Sequence, residues 1–383
     1  MALKRQARAF GRRFCCNCLL DDAKGKDLKV ALIGMMQSGK STIVSAVSGK
    51  EVPQAGSVNI EEVVVSVPDE RLEWLTELYK PKKTVPGTVD CLDLPGLSFA
   101  DESGRSAARR LFGQVRTVDM FVAVVRAFED PSVPPYGGSV NPVRDFNDLK
   151  TEFILADLEL VTTRIERLEK QIHKPTKTQA KDKAELALQK KLQEALENEK
   201  PVSSVIDNDT DLELVKSLGF LTLKPMMVVV NIGEDQIGED VDLSGIEGDS
   251  LEVITMCAKI ESEIAELDEE SKAEFMSDMG IEEPASIKFV QSCYKTLGLI
   301  SFLTVGPDEV RAWPIKEGTT ALEAAGKIHS DIQRGFIRAE TIAYSDLKEL
   351  GSEKACKAAG KTRLEGKSYV VQDGDIINFR FNV

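Results

Sequence analysis

Six short apolar runs recur along the chain: KVALIG from Lys29, EEVVVSV from Glu61, TVDCLDLPG from Thr88, DMFVAVVRAF from Asp119, PMMVVVNIG from Pro225 and LEVITMCAK from Leu251. They are rich in β-branched residues and are separated by stretches with helical signals. Near-continuous apolar strands alternating with helices predict an α/β domain with a mostly parallel sheet covered on both faces. Between the fourth and fifth runs, Ile154, Leu158, Val161, Ile165, Leu168 and Ile172 repeat at spacings of four and three. That is a heptad seam. It stops near Lys174-Pro175-Thr176, and a second helical run with Leu188, Leu192 and Leu196 follows before Pro201. The pattern predicts an antiparallel helical hairpin projecting from the sheet, its outer positions densely charged in both signs as solvated faces require.

The end of the chain has another texture. VRAWPIKEGTTALEAAGKIH reads as a strand, a turn at Glu317-Gly318 and a helix, and KSYVVQDGDIINFRFNV as two strands around an Asp373-Gly374 turn. Strands flanking one helix predict a small ubiquitin-like α+β module. The expected division is a basic N-terminal extension (1–27), a nucleotide-fold domain in two parts (28–147 and 204–300), a helical insertion (148–203) and a terminal module (301–383).

Length and composition narrow the classes. A chain of 383 residues has room for two or three cores without disulfide staples. Its seven cysteines are an odd number, scattered apart from the Cys15-Cys16-Cys18 group, which is reduced, cytosolic usage. Cys15-x-x-Cys18 lacks the second pair that a structural zinc site requires. No apolar stretch reaches the ~20 residues that span a bilayer, and the FCCNCLL run meets Asp21 and Asp22 too early for a signal core. A cytoplasmic protein without a membrane partner is expected. The net charge of −14 excludes broad binding to nucleic acid and gives no sign of DNA specificity, so any RNA contact must be a local basic face. Candidates are Lys174, Lys177, Lys181 and Lys183 at the hairpin tip, and Arg334, Arg338, Lys361, Arg363 and Lys367 in the terminal module.

The chemistry lies at the ends of the apolar runs. KVALIGMMQSGKST matches G-x-x-x-x-G-K-[ST] at Gly34, Gly39, Lys40 and Ser41, after a strand and before a helix, the context that a phosphate-binding loop needs. Backbone amides of the loop, Gln37 and Ser38 included, would close around the phosphates. Lys40 would reach the β/γ oxygens, and Ser41, followed by Thr42, would join the shell of Mg²⁺. Asp93-Leu94-Pro95-Gly96 follows VDCL, where an Asp can hold Mg²⁺ through water and the Gly96 amide can sense a γ-phosphate. Asn231-Ile232-Gly233-Glu234 stands where GTPases carry Asn-Lys-x-Asp, and Cys257-Ala258-Lys259 where they carry a Ser-Ala-Lys base loop. His173 and His329 lie beside no candidate nucleophile and read as structural or surface residues.

On these four motifs, the hairpin and the closing segments GPDEVRAW, GFIRAE, YSDLKELGSEKACKAAGKTRLEGKSYVVQDGD and FRFNV, the sequence from about Leu28 onward resembles the YchF or Obg-like ATPases, P-loop proteins of the translation-factor class with a coiled-coil insertion and a C-terminal TGS module. The resemblance implies a slow, Mg²⁺-dependent ATPase that associates with ribosomes. Two residues agree. Glu234 replaces the Asp that accepts paired hydrogen bonds from guanine, and its extra methylene moves the carboxylate out of register, so guanine selectivity should weaken. Leu97 stands where Ras-like enzymes orient water with Gln, so hydrolysis must draw on backbone, metal and partner-induced ordering. There are departures too. Met36, Gln37 and Ser38 replace Pro-Asn-Val in the family's loop, Ser57 stands for the switch Thr as a metal ligand, and SFADESGRSAARRLF exchanges glycine flexibility for charge and helix formers. Besides an ATPase, a nucleotide-binding regulator or scaffold with little hydrolysis and a GTPase therefore remain open.

Overall fold

The first apolar run becomes strand β1 (Leu28–Ile33), the phosphate motif opens helix α1 (Lys40–Ser48), and the second run is β2 (Glu61–Ser66). In this computed structural model, which describes residues 28–50, 59–173, 177–239, 241–246, 251–281 and 283–382, the chain next forms α2 (Glu70–Tyr79), β3 (Lys83–Val85), β4 (Thr88–Asp93), α3 (Glu102–Gln114) and β5 (Met120–Arg126). Ser57, Lys174, Cys15 and Cys18 lie outside the described residues. After β5 come α4 (Pro142–Gln171), α5 (Gln179–Glu197) and α6 (Asp209–Val215), and then β6 (Met226–Asn231), β7 (Glu252–Met256), α7 (Ala258–Glu266), α8 (Glu269–Asp278) and α9 (Ala285–Leu297). The strands order β2-β4-β1-β5-β6-β7, all parallel except the edge strand β2. β1, β5 and β6 are buried nearly throughout because helices cover both faces. Ile43, Val44, Phe289 and Val290 of α1 and α9 pack one face, and Leu111, Phe112, Phe146 and Phe153 of α3 and α4 pack the other. The charged SFADESGRSAARRLF stretch is the helix α3, capped by Asp101, whose carboxylate accepts from the Gly104 amide.

The heptad seam is part of a longer object. α4 starts at Pro142, capped by Asn141, so its first half serves the sheet core through Phe146, Leu149 and Phe153 and only its second half pairs with α5. Val161, Ile165 and Leu168 meet Leu188, Leu192 and Leu196, and this cluster continues through Leu212, Val215, Phe220 and Leu223. The helical unit thus reaches beyond the expected 148–203 at both ends. At its root, the fully buried Asp157 accepts from Arg116 Nη1 at 3.0 Å, from the Leu221 and Thr222 amides and from the Thr222 hydroxyl. Saturated in this way, the carboxylate fixes the angle at which the hairpin leaves the sheet.

The closing unit comprises β8 (Leu299–Thr304), β9 (Glu309–Lys316), α10 (Ala321–Ile328), α11 (Ser330–Arg334), β10 (Phe336–Ala343), α12 (Tyr344–Leu350), α13 (Glu353–Ala358), β11 (Arg363–Glu365) and β12 (Asp375–Phe381). The Glu317-Gly318 turn and the helix after it are present, with Gly318 at φ 90° and a Thr320–Glu323 capping box on α10. The first of the two strands expected around Asp373-Gly374 is not: Val370 makes a lone bridge to Thr320, and β10 pairs on one side with β12 and on the other with β11, earlier in the chain. The sheet orders β11-β10-β12-β8-β9-β3. Its last strand is residues 83–85, expected in the nucleotide domain, pairing parallel to β9 in register Thr84↔Val310. α2 packs with it, burying Leu72 and Leu75 against Leu303, Val310, Ala312 and Ile376. Arg71 reaches Asp373 at 2.8 Å, and the Tyr79 hydroxyl donates to Glu353. Alternating apolarity could not reveal so short a strand, which is mostly exposed and owes its place in the sheet to pairing with a distant partner.

Candidate functional site

At the C-terminal ends of β1, β4, β5, β6 and β7 the four motifs converge, where a parallel sheet places its binding crevice. The phosphate loop is shaped by close approach. A Cβ on Gly34 would stand 2.2 Å from the Val124 carbonyl oxygen, and one on Gly39, at φ 89°, 2.1 Å from Asn231 Nδ2. Neither position admits a side chain without displacing a neighbour. Gln37 takes a left-handed φ of 60°, an uncommon conformation for its residue type. Gly39 caps α1, so the first amides of a nine-residue helix open into the loop.

Lys40 is 6% exposed, and its Nζ donates to the Gly34 and Met35 carbonyls at 3.2 and 3.1 Å. Burial lowers its pKa from 10.5 to about 8, with the Asp93 charge opposing. Asp93 responds in reverse: burial raises it, while the Ser41 hydroxyl that bonds it and the Lys40 charge hold it down. Its Oδ1, like Ser38 Oγ, is buried without a hydrogen-bond partner among the described residues. Ser41 and Thr42 are half-buried at the start of α1. The second motif is stitched to the loop, with Leu97 N donating to Gly34 O at 3.0 Å and Met36 N to Leu97 O at 2.9 Å. Gly96 faces solvent at the crossing, so close that a Cβ there would lie 2.7 Å from Met36 Cα. The Leu97 side chain, 2% exposed, turns into the core beside Phe112 and Phe153, so neither polarity nor position lets it act on water.

At the base side Asn231 is a buried tie. Its Nδ2 donates to the Ser38 carbonyl at 3.0 Å, and its Oδ1 accepts from the Ala258 amide at 3.1 Å, joining the phosphate loop to the base loop. The side chains of Ile232 and Cys257 go into the core, and Ala258 is buried as well, so these three bring only backbone to the crevice. Glu234 and Lys259 are exposed and form an ion pair across its mouth. Sequence reading passed over Arg126, Phe128 and Asp130. An arginine ending an otherwise apolar, fully buried strand was the available signal: Arg126 is buried, donates Nε to the Phe128 carbonyl at 3.0 Å and stacks on that ring.

The proposed basic faces differ in kind. Lys177, Lys181 and Lys183 are exposed on the hairpin tip. In the terminal module Arg334 pairs with Asp331, Lys361 with Asp346, and Arg363 with Glu365 and Asp375, so much of that charge is already answered within the fold. His173 is exposed, and His329, which starts α11, accepts the Asp331 amide on Nδ1. No helix among the described residues is long and apolar enough to cross a membrane.

Residues 299–382 match the family named for the C-terminal region of YchF GTPases and described as a protein of unknown function (DUF933). Along nearly the whole chain, the sequence is similar to "Ribosome-binding ATPase YchF" of Bacillus subtilis, with 43% identity covering 93% of this chain and 100% of that one. It is also similar to "Obg-like ATPase 1" of Oryza sativa subsp. japonica, with 38% identity covering 93% and 92%. The solved structure of the Schizosaccharomyces pombe YchF GTPase superposes with a TM-score of 0.80 at 31% identity, covering 93% of this chain and 98% of that one.

Proposed function

The chain belongs to the YchF family of Obg-like ATPases, and from that premise we propose that it is a Mg²⁺-dependent ATPase of low intrinsic rate, preferring ATP to GTP, whose nucleotide state governs association with ribosomes. One observation carries the reading. Among the described residues the buried Lys40 ammonium donates to two carbonyls, and Oδ1 of the buried Asp93 carboxylate has no hydrogen-bond partner. Buried charge so incompletely answered is costly, and a nucleotide phosphate with its metal offsets both deficits.

Mg²⁺ suits the donors present. The Ser41 hydroxyl and the Asp93 carboxylate are hard oxygen donors that would hold it, and the metal would neutralise phosphate charge there. Lys40 supplies the remaining positive charge, the amides at the start of α1 bind the phosphate oxygens, and Asn231 holds the two loops at their spacing. Low rate follows from Leu97, whose apolar, core-facing side chain cannot orient a nucleophilic water. ATP preference rests on Glu234, whose carboxylate is engaged by Lys259 rather than presented free to guanine.

The two curated relatives described above are named as ATPases, one of them as ribosome-binding, whereas the solved structure is titled a GTPase. Single-turnover hydrolysis of ATP and GTP, with and without Mg²⁺ and ribosomes, tests each part of the reading. Slow, metal-dependent ATP cleavage accelerated by ribosomes is expected, and cleavage of GTP alone would overturn the base assignment. The buried Leu97 also favours a second reading, a nucleotide-controlled scaffold, which tight ATP binding with no measurable cleavage under any of these conditions would establish. For the ribosome, reversal of Lys177, Lys181 and Lys183 to Glu should weaken co-sedimentation and flatten its salt dependence while leaving ATP binding intact. Unchanged co-sedimentation would remove the hairpin tip from the contact.

A further inference from the structure

One buried cation is used by none of the four motifs. Arg126 ends β5 in register with Asn231 and is 3% exposed. Its Nε donates to the Phe128 carbonyl at 3.0 Å, its Nη2 reaches the Asp130 carbonyl at 3.5 Å, and its guanidinium lies 4.3 Å from the centroid of the Phe128 ring. Among the described residues Nη1 has no hydrogen-bond partner, and the carboxylates of Asp130 and Asp145 feel the charge of Arg126 without making a hydrogen bond to it. Burying a guanidinium costs several kcal/mol unless geometry and hydrogen bonds offset it. Here the direct partners are main-chain carbonyls of a single short loop. Its hydrogen bonds and ring contact therefore hold residues 127–130 in one conformation.

The place of that loop gives the conformation its meaning. Ala127 N donates to the Asn231 carbonyl at 2.8 Å. The Phe128 ring comes within 4.0 Å of where a Cβ on Gly39 would stand, so it abuts the phosphate loop. Asp130 folds its carboxylate onto the Ser132 amide and hydroxyl and also feels the charges of Arg126 and, less strongly, Lys259. The loop thus adjoins the phosphate motif through Phe128 and the end of β6 at Asn231 through Ala127.

We propose that Arg126 is a positioning residue of the nucleoside pocket, clamping residues 127–130 so that Phe128 and Asp130 form the pocket wall facing the base loop. The proposal rests on the nucleotide-binding reading above and adds a determinant outside the motifs. Arginine suits the task because its planar fork directs two bonds while its face stacks on an aromatic ring; lysine keeps the charge and the contact with the ring but only one directed bond. Since Arg126 acts through the loop, it should govern affinity for the nucleoside part and leave the phosphate part and the cleavage step alone.

The test compares ATP with inorganic tripolyphosphate, each with Mg²⁺, by calorimetry on the full-length protein and its Arg126→Lys and Arg126→Ala variants. Arg126→Ala should weaken ATP about tenfold, the worth of a charged hydrogen bond, with tripolyphosphate affinity unchanged within about twofold. Arg126→Lys should fall between, and the single-turnover rate at saturating ATP should stay within about twofold of the parent. Equal losses for ATP and tripolyphosphate would mean that Arg126 merely supports the phosphate loop, and unchanged ATP affinity would remove it from the site. Collapse of the saturated rate with affinity retained would place its action on the transferred phosphate instead; each of these results overturns the proposal. If Arg126→Ala does not fold, Arg126→Lys carries the same comparison, with a several-fold selective loss of ATP affinity expected and no selective loss contradicting it. Failure of the parent protein to bind either ligand would instead overturn the nucleotide reading itself.

Discussion

At the phosphate end of the crevice, Gly34, Gly39 and Lys40 lie within seven consecutive residues and offer mainly backbone, fixed by contacts that exclude a Cβ at both glycines. At the other end Asn231, Glu234, Ala258 and Lys259 arrive on two loops, and Phe128 with Asp130 on a third, so that end is an assembly held by side-chain ties. The first end is a local conformation that one stretch of chain can specify. The second exists only once β5, β6 and β7 are in register. Damage to the first should therefore be severe and indifferent to the base, and damage to the second graded and selective.

Lys40→Ala gives the sharpest test, because it removes the one side-chain cation that the loop brings to the phosphates; ATP and GTP binding should both fall at least about a hundredfold in calorimetry. Retained affinity would mean that the loop's amides suffice. Asn231→Ala comes next. It breaks two buried bonds worth about 1 kcal/mol each and should weaken ATP roughly thirtyfold, with the ligand-free melting temperature also lowered; loss of melting temperature without loss of affinity would make the tie purely structural.

A change of pH separates the two ends without a mutation. Unfolded, Lys40 holds its proton to the ordinary value of 10.5, and folded without ligand only to about 8. Across that interval the unfolded chain binds the extra proton, so ligand-free stability gains from this group as pH rises. Phosphate binding needs the ammonium, so ATP affinity should fall over the same interval, by up to about tenfold per pH unit, as titrations between pH 7 and 9 would show. Affinity that holds constant to pH 9 would assign Lys40 a normal pKa. The smallest effect is expected from Glu234→Asp, which moves the carboxylate back toward guanine's donors while the Lys259 pair takes part of the gain: a shift of about fivefold in the GTP/ATP affinity ratio. No shift would leave base choice to the backbone and the wall beside Arg126.

The same contrast explains what could be read in advance. The phosphate loop, the six runs of the parallel sheet and the seam of α4 with α5 are periodic or contiguous, so the order of residues alone exposes them. Ile232 and Cys257 stand in motif positions, yet their side chains turn to the core, because a motif fixes the backbone path and not which way an apolar side chain packs. Arg126 is invisible to motif reading, since its partners are carbonyls, which every residue possesses. The missed boundary of the helical unit has a related cause: α4 serves two cores in one continuous helix, and heptads mark only the half facing α5.

Strand β3 and helix α2 carry a consequence for how this chain is made. They emerge early in synthesis, but Leu72 and Leu75 have no cover until β8, β9 and β12 exist, and Arg71 must wait for Asp373, 302 positions later. The nascent nucleotide domain therefore leaves the exit tunnel with an unfinished apolar flank, and contacts of such long sequence separation close late. Nor does the division drawn from sequence give two excisable halves. A fragment ending after α9 would keep every nucleotide motif yet expose that flank, making it prone to aggregate rather than a smaller working protein.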